Sequence, residues 1–341
     1  MKKRSPRGLE LSLEHRAWIV ENLLAGTDER ALVAQLATQL PRARAAHEVA
    51  AIARSPLLPV CAQLARRARR LELVAALGRS HQHGAPLPAR TQVERRTTPP
   101  ADEFFRDYWA AHRPVVLTDA MARSPALRKW TPAYFRRHFG DALIEITAGR
   151  EADPFYDMNF RAHRRRMRMD RFIDRVLAAG TSNDLYMVSN NQTMRRPRFR
   201  ALLGDVRPPR DLFEPLAPGA TSLWIGPAGT VTPLHHDTTN ILFAQIYGRK
   251  RVELVSPQET ALLVDPVHGF YSPVDLDALA EAEHPALRQL LVKQVVLGPG
   301  DALYIPAGWW HRVTSLDVSI SFSLLGFRRP NNFDWYRPGH E

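Results

Sequence analysis

The 341-residue chain contains a single cysteine, Cys61. One cysteine excludes an internal disulfide framework and any zinc cluster that is built from several thiolates. Such sparing use of cysteine suits a reducing compartment, so we expect a cytoplasmic protein.

Long apolar runs are also missing. A run such as Val295–Leu297 falls far short of the roughly 18 apolar residues that are needed to cross a bilayer. The basic start at Met1–Arg7 is followed by an amphipathic stretch and not by the apolar region of a secretory signal. The sequence contains no internal repeat, no GxGxxG motif and no P-loop. We therefore expect no membrane partner and no dinucleotide or P-loop nucleotide site.

The formal net charge of +12 is unevenly distributed. Residues 1–100 contain 17 Lys and Arg against 8 Asp and Glu, a net charge of +9, which leaves 30 against 27, or +3, for residues 101–341. A basic surface attracts acidic proteins or nucleic acid at long range, but it does not define a reaction. A nucleic acid partner for the N-terminal region is therefore one hypothesis, and a solvated Arg-rich helical surface is the alternative.

Apolar periodicity in the first part of the chain predicts helices. The spacing of Trp18, Ile19, Leu23 and Leu24 is helical, and residues 27–29 resemble a helix start with acidic residues in the first turn. We predict a small α-helical bundle over residues 1–85. A proline-rich stretch without periodicity then indicates a linker over residues 86–100.

From residue 101 to residue 341 the pattern changes to short strands that are separated by turns. A helix is predicted over Ala101–Ala111, and strands are predicted in particular at 222–225, 241–246, 251–255, 292–297, 302–305 and 318–324. Strands this short and even predict a mainly β fold, an antiparallel barrel or jelly roll with helices around it.

The segment Thr232–Asp237 contains the first candidate metal ligands. Alternate side chains of a strand point to the same side, so His235 and Asp237 would project together while His236 points away. An HxD triplet alone is weak evidence, because a polar loop or a core histidine also explains it.

A second segment, Gly298–His311, supplies a third candidate ligand. A Gly-Pro-Gly-Asp turn precedes an apolar strand, and His311 follows a corner with two tryptophans. Two histidines and one carboxylate without sulfur match the facial triad of non-haem iron(II) oxygenases. A zinc hydrolase is the competing interpretation, since zinc enzymes use the same donor set.

Lys250 is a candidate for binding an anion. It follows the HxD strand after a turn at Tyr247–Gly248, and a buried lysine there would neutralise a dicarboxylate. The alternative is a solvated basic residue that flanks a hairpin turn.

Three segments in this order, 225–237, 243–250 and 298–311, resemble the cupin-like JmjC hydroxylases. The resemblance covers roughly residues 100–327 and is strongest to bacterial cupin-like proteins and to the group of factor inhibiting HIF. It implies a double-stranded β-helix, the cupin or jelly-roll fold, as an iron(II)- and 2-oxoglutarate-dependent catalytic domain that consumes O2. It also implies that His235, Asp237 and His311 bind iron.

The resemblance assigns further residues to the cosubstrate. It places Lys250 on the distal carboxylate of 2-oxoglutarate, and it gives Thr232 and Tyr186 supporting hydroxyl groups. The chain departs from the pattern in two places. In the group of factor inhibiting HIF an asparagine follows the aspartate ligand by four residues, whereas here Asn240 follows Asp237 by three. Ser323 stands where that group has a second asparagine. We still expect Asn240 and Ser323 to contact the cosubstrate, and both changes leave the iron ligands intact but put substrate orientation in doubt.

The function that the resemblance implies is hydroxylation of a side chain in a protein or peptide substrate. No amino acid is required as a catalytic base, so His236 is expected to pack behind the metal strand. Three alternatives stay open: N-methyl demethylation, an RNA- or small-molecule-modifying oxygenase of the same fold, and a non-enzymatic cupin binding module. A homodimer is also considered.

Overall fold

A computed structural model describes residues 11–83, 91–264 and 270–331. The chain divides into two compact units, Met1–Leu77 and Gly78–Glu341. In the part of the chain that is described, no helix is long and apolar enough to span a membrane.

The first unit is helical. Its described helices are α1 (Leu13–Leu24), α2 (Glu29–Leu36), α3 (Arg42–Ala53) and α4 (Leu57–His83). Asp28, within the predicted helix start, caps α2 by accepting a hydrogen bond from the backbone N–H of Arg30 at 3.1 Å. The apolar stripes meet in a small core that contains Leu11, Ile19, Leu32, Leu36, Ala45 and Val49.

The second unit contains two facing β-sheets. Their strands are β1 (Glu94–Arg96), β2 (Val115–Leu117), β6 (Thr221–Gly226), β7 (Val231–His235), β8 (Ile241–Tyr247), β9 (Lys250–Val255), β10 (Val292–Leu297), β11 (Ala302–Ile305), β12 (Trp310–Ser315) and β13 (Ser319–Leu324). The first sheet has the strand order β1-β2-β11-β8-β13-β6, and the second has the order β10-β9-β12-β7. Except for the parallel pair β1 and β2, the pairings are antiparallel.

Strand β8 shows how the layers are built. Leu242 and Ala244 face a core that is shared with helices, whereas Phe243 faces a second core between the two sheets. Val252 and Leu254 of β9 enter that second core from the opposite sheet. Successive strand residues point to opposite faces, so β8 is buried on both faces and reads as a continuous apolar run. The predicted jelly roll with surrounding helices is confirmed.

A third sheet and several helices cover the first sheet. The sheet has the order β4-β3-β5, with β3 (Leu143–Ala148), β4 (Arg164–Arg168) and β5 (Leu185–Tyr186). The helices on this side are α5 (Ala101–Phe104, continued by a π-helical turn to Ala110), α6 (Ala126–Lys129), α7 (Pro132–Phe139), α8 (Phe160–His163) and α9 (Met169–Ala178). A further short helix, α10 (Thr260–Leu263), packs Leu263 against the second sheet.

One predicted range needs correction. The linker over residues 86–100 contains β1, which pairs with β2 and so belongs to the sheet. Helix α4 ends at His83, within the predicted bundle of residues 1–85. Residues 84–90 lie outside the described part of the chain.

Arg312 ties the outer face of the second sheet together. Its guanidinium binds Glu253 at 2.7 and 2.9 Å and Asp277 at 2.7 Å through two nitrogens. Only 12% of the Arg312 side chain and 10% of the Glu253 side chain are exposed. We expect Arg312→Met to lower the free energy of unfolding by about 2–3 kcal/mol, because a buried carboxylate loses its cation.

Chemical denaturation measures this effect. The double variant Arg312→Met/Glu253→Gln removes both charges and should recover part of the loss. A single variant as stable as the wild type would show that the pair does not contribute. Metal binding should not change, because Arg312 points away from the side of β12 that carries His311.

Candidate active site

Three polar side chains meet where β7 and β12 lie side by side. His235 ends β7, Asp237 follows two residues later, and His311 is the second residue of β12. His235 and His311 are direct partners across the antiparallel pair. One ligand atom from each of the three residues lies within 4.8 Å of the others. The structure therefore brings together the three ligands that the sequence predicts.

Backbone hydrogen bonds orient both imidazoles. Nδ1 of His235 lies 2.8 Å from the carbonyl of Pro233, and Nδ1 of His311 lies 2.9 Å from the carbonyl of Trp309. Because a carbonyl only accepts, each Nδ1 carries the proton and each Nε2 keeps its lone pair. The two Nε2 atoms lie 3.9 and 3.6 Å from Oδ2 of Asp237. The lone pairs and the carboxylate are thus available to one ion.

The protonation state of His311 also favours metal binding. Burial and the neighbouring His235 lower the pKa of His311 to about 4. His311 is therefore neutral at pH 7, which is the form that binds a metal. Two imidazoles and one carboxylate fit iron(II) and leave coordination positions for further ligands.

A cavity with an empty volume of about 360 Å³ adjoins the three ligands. Both sheets line it, so it lies between them. Besides the ligands, its lining residues are Tyr186, Trp224, Thr232, Ile241, Phe243, Ile305, Val313 and Ser323. In this lining, as far as the chain is described, Asp237 supplies the only carboxylate.

Lys250 lies behind Tyr186 at the start of β9. Its Nζ donates a hydrogen bond of 2.7 Å to the Tyr186 hydroxyl, and only 1% of the residue is exposed. The predicted anion-binding lysine is thus buried beside the cavity, and the alternative of a solvated hairpin residue is wrong. The rings of Tyr186, Trp224 and Phe243 lie 5.1, 6.0 and 5.4 Å from Nζ.

Burial and, to a smaller extent, Arg150 lower the pKa of Lys250 to about 7. A dianion in the cavity favours the charged ammonium, so its binding should take up a proton above pH 7. We expect the affinity for 2-oxoglutarate to fall as the pH rises from 7 to 9. Calorimetry in two buffers of different ionisation enthalpy measures the proton uptake, and an affinity independent of pH would contradict the expectation.

The other predicted cosubstrate residues divide into two groups. Thr232 and Ser323 line the cavity. The Thr232 hydroxyl shares a hydrogen bond with Tyr186, and Ser323 accepts one of 2.8 Å from the indole of Trp224. The amide oxygen of Asn240, in contrast, accepts from the hydroxyl of Tyr304 and the N–H of Ala307.

Asn240 thus stabilises the loop before β8 through hydrogen bonds within the protein. Its amide nitrogen binds Asn331 at 3.0 Å, so its polar atoms are occupied within the protein. Ile241, the next residue, lines the cavity. The assignment of Asn240 to the cosubstrate is therefore not supported by its position.

His236 lies on the other side of β7. Its ring packs against Trp310 at 4.6 Å and Phe270 at 5.3 Å. This packing agrees with the prediction that His236 stands behind the metal strand.

Sequence reasoning missed a buried arginine beside this site. Arg150 is 0% exposed, and its Nη2 donates a hydrogen bond of 2.6 Å to the carbonyl of Val231 in β7. Among the 47 basic residues of the chain nothing in the local pattern marks it. The one signal is Gly149, whose φ of +77° turns the chain at the end of β3.

Comparisons with known proteins agree with this geometry. Residues 101–325 match the family model described as "Cupin-like domain". The chain is 30% identical over 256 residues to lysine-specific demethylase JMJ30 of Arabidopsis thaliana, covering 70% of this chain and 56% of that protein. It is 29% identical to lysine-specific demethylase 8 of Xenopus tropicalis, covering 70% and 53%.

A relative that is named for a different activity also matches. The chain is 27% identical to tRNA wybutosine-synthesizing protein 5 of Danio rerio, over 73% of this chain and 78% of that protein. The chain spans little more than half the length of the two demethylases. The match to the family model covers most of the second unit and all three ligands, so the chain belongs to the cupin-like JmjC family of iron(II)- and 2-oxoglutarate-dependent oxygenases.

Proposed function

We propose that the protein hydroxylates an aliphatic carbon in a side chain of a protein or peptide substrate. The observation that carries the proposal is a single cavity that adjoins His235, Asp237 and His311 and is also lined by Tyr186, the hydrogen-bond partner of Lys250. When bound, iron(II) with 2-oxoglutarate and dioxygen supplies the oxidising chemistry, in which 2-oxoglutarate becomes succinate and CO2 and one oxygen atom enters the substrate.

Two sets of residues have different roles in the proposed reaction. His235, Asp237 and His311 would hold iron on one side, which leaves the cavity side open. Lys250, together with the hydroxyls of Tyr186 and Thr232, would bind the distal carboxylate of the cosubstrate. Their burial excludes water and strengthens this charge pair.

The character of the cavity favours a neutral C–H group over a cationic one. Ile241, Ile305 and Val313 supply apolar walls beside the ligands, and Asp237 is itself committed to the metal. A methylammonium group would need a second anion or an aromatic cage, and the aromatic rings of the lining, Tyr186, Trp224 and Phe243, already surround the Nζ of Lys250. The similarity to the two lysine-specific demethylases favours N-methyl demethylation instead, so the test must separate the two reactions.

Two experiments test the proposal in order. Anaerobic addition of iron(II) and then 2-oxoglutarate should produce the weak visible charge-transfer band of the chelate, and a zinc hydrolase would produce none. Mass spectrometry of host proteins should then find a peptide with one added oxygen atom that is absent with His235→Ala. Loss of a methyl group in place of added oxygen would identify a demethylase. Without a band, the iron and 2-oxoglutarate assignment fails.

An RNA substrate is the second candidate, and the similarity to the tRNA-modifying relative favours it. The basic residues of the first 100 positions would then contact phosphates, and affinity for tRNA should fall steeply with salt. Fluorescence anisotropy with labelled tRNA at 50 and 200 mM salt measures this. If tRNA does not bind at low salt, the candidate is excluded.

The cytoplasmic location and a homodimer stay predictions.

A further inference from the structure

Two buried cations lie against the same tyrosine. Nζ of Lys250 lies 5.1 Å from the ring centre of Tyr186, and Cζ of Arg150 lies 5.2 Å from it. Tyr186 lines the cavity, and both cations are essentially excluded from solvent. Lys250 already has a role in the proposed reaction, whereas Arg150 has none.

The guanidinium of Arg150 is incompletely satisfied by the protein. Nη2 donates to the carbonyl of Val231 at 2.6 Å, but within the described residues Nε and Nη1 have no hydrogen-bond partner. The nearest carboxylate, Asp157, lies 3.7 Å away, beyond hydrogen-bond distance. Burial raises the pKa of Asp157, which weakens the negative charge that it offers.

A buried charge without full compensation is costly, so such an arrangement requires an explanation. Arg150 also repels the ammonium group of Lys250, and this repulsion contributes to the lowered pKa of Lys250. An anion beside Tyr186 would compensate both cations at once. A dicarboxylate in the cavity is such an anion.

Contacts of Arg150 also reach the elements that hold this anion. The carbonyl of Val231, which accepts from Arg150, starts the strand that carries Thr232 and His235. The Tyr156 hydroxyl donates to the same carbonyl at 3.2 Å, and its ring packs on the guanidinium at 4.3 Å. Arg150 therefore fixes both β7 and the ring of Tyr186.

We infer that Arg150 is a positioning residue for the cosubstrate: it orients Tyr186 and the start of β7, and it supplies a second positive charge behind the cavity. This inference rests on the function proposed above. Arg150 acts through Tyr186 and Val231, so it controls cosubstrate affinity and leaves the metal ligands in place.

The test measures binding, not turnover. With manganese(II) in place of iron, calorimetry gives the dissociation constants of the metal and of 2-oxoglutarate separately. We expect Arg150→Met to weaken 2-oxoglutarate binding by on the order of 10-fold with metal affinity unchanged. Arg150→Lys should restore part of the affinity, because it returns the charge.

Two control variants separate charge from structure. Tyr156→Phe removes a hydrogen bond to the same Val231 carbonyl without removing charge, and it should leave cosubstrate affinity within about twofold of the wild type. Arg249→Met removes an exposed arginine that pairs with Asp317 and should change nothing. If Arg150→Met unfolds, the double variant Arg150→Met/Asp157→Asn, which removes both buried charges, replaces it.

The outcomes are distinct. If the wild type and Arg150→Met bind 2-oxoglutarate equally well, the inference is overturned and the proposed function is not. Equal weakening of metal and cosubstrate by Arg150→Met would assign the arginine a purely structural role and also overturn it. A wild type that binds no 2-oxoglutarate would overturn the proposed function, and the inference with it.

Discussion

Replacing Asp237 by alanine should weaken iron(II) binding more than about 100-fold and remove turnover. Loss of residues that only support metal ligands costs roughly 10- to 100-fold in affinity, so loss of the one charged ligand should cost more. Asp237 is the carboxylate closest to both Nε2 atoms, and its side chain is 41% exposed. The fold should therefore tolerate the change, with a melting temperature near that of the wild type.

Anaerobic titration with iron(II) and then 2-oxoglutarate measures this effect through the charge-transfer band. His236→Gln is the matched control, because it changes the adjacent residue on the opposite side of β7. It should keep iron affinity and the band. If Asp237→Ala kept both, the third ligand would have to be another residue, and the predicted triad would be wrong.

The sequence predicts the metal site well because strand geometry and two local motifs determine it. His235 and Asp237 are separated by one residue, and alternation alone places them together. The pairing of β7 with β12 cannot be derived from spacing, since any strand of a barrel could lie beside β7. The family resemblance supplied that contact, and the register of His235 against His311 agrees with it.

Strand positions were also predictable where apolar runs end at turns. The predicted ranges 292–297 and 302–305 coincide with β10 and β11. The start of β9 was missed by one residue, because Lys250 looks like a turn residue between Arg249 and Arg251. Tertiary burial, which a local pattern does not encode, makes this lysine a core residue.

Arg150 and Asn240 illustrate the limits of local reasoning. A buried arginine and a solvated one have the same sequence signature in an Arg-rich chain, and only the fold brings Arg150 to Tyr186. Asn240 carries the residue type that the family pattern requires but lies one position early. The offset turns its amide to Tyr304 and gives the cavity Ile241 instead.

Lys250→Met should weaken the binding of 2-oxoglutarate by on the order of 100-fold or more. It keeps a side chain of similar shape but removes the buried cation that would pair with the distal carboxylate. Metal affinity should stay unchanged, since Lys250 is not a ligand. Calorimetry on the manganese(II) protein measures both constants. Arg249→Met, one residue earlier and exposed, is the control for a change of charge alone. Equal cosubstrate affinity in Lys250→Met and wild type would transfer the anion-binding role to another residue.

The same variant should be more stable than the wild type when no cosubstrate is present. The pKa of Lys250 is about 7 in the folded protein against an ordinary value of 10.5. Between these values the unfolded chain binds a proton that the folded protein does not, so the penalty is complete below about pH 7, falls as the pH rises, and has largely disappeared at pH 10.5. Methionine removes a penalty on the order of 4 kcal/mol at pH 7. The melting temperature of the variant should therefore exceed that of the wild type at pH 7 and exceed it by less at pH 10, while one fixed concentration of 2-oxoglutarate should stabilise the wild type more than the variant.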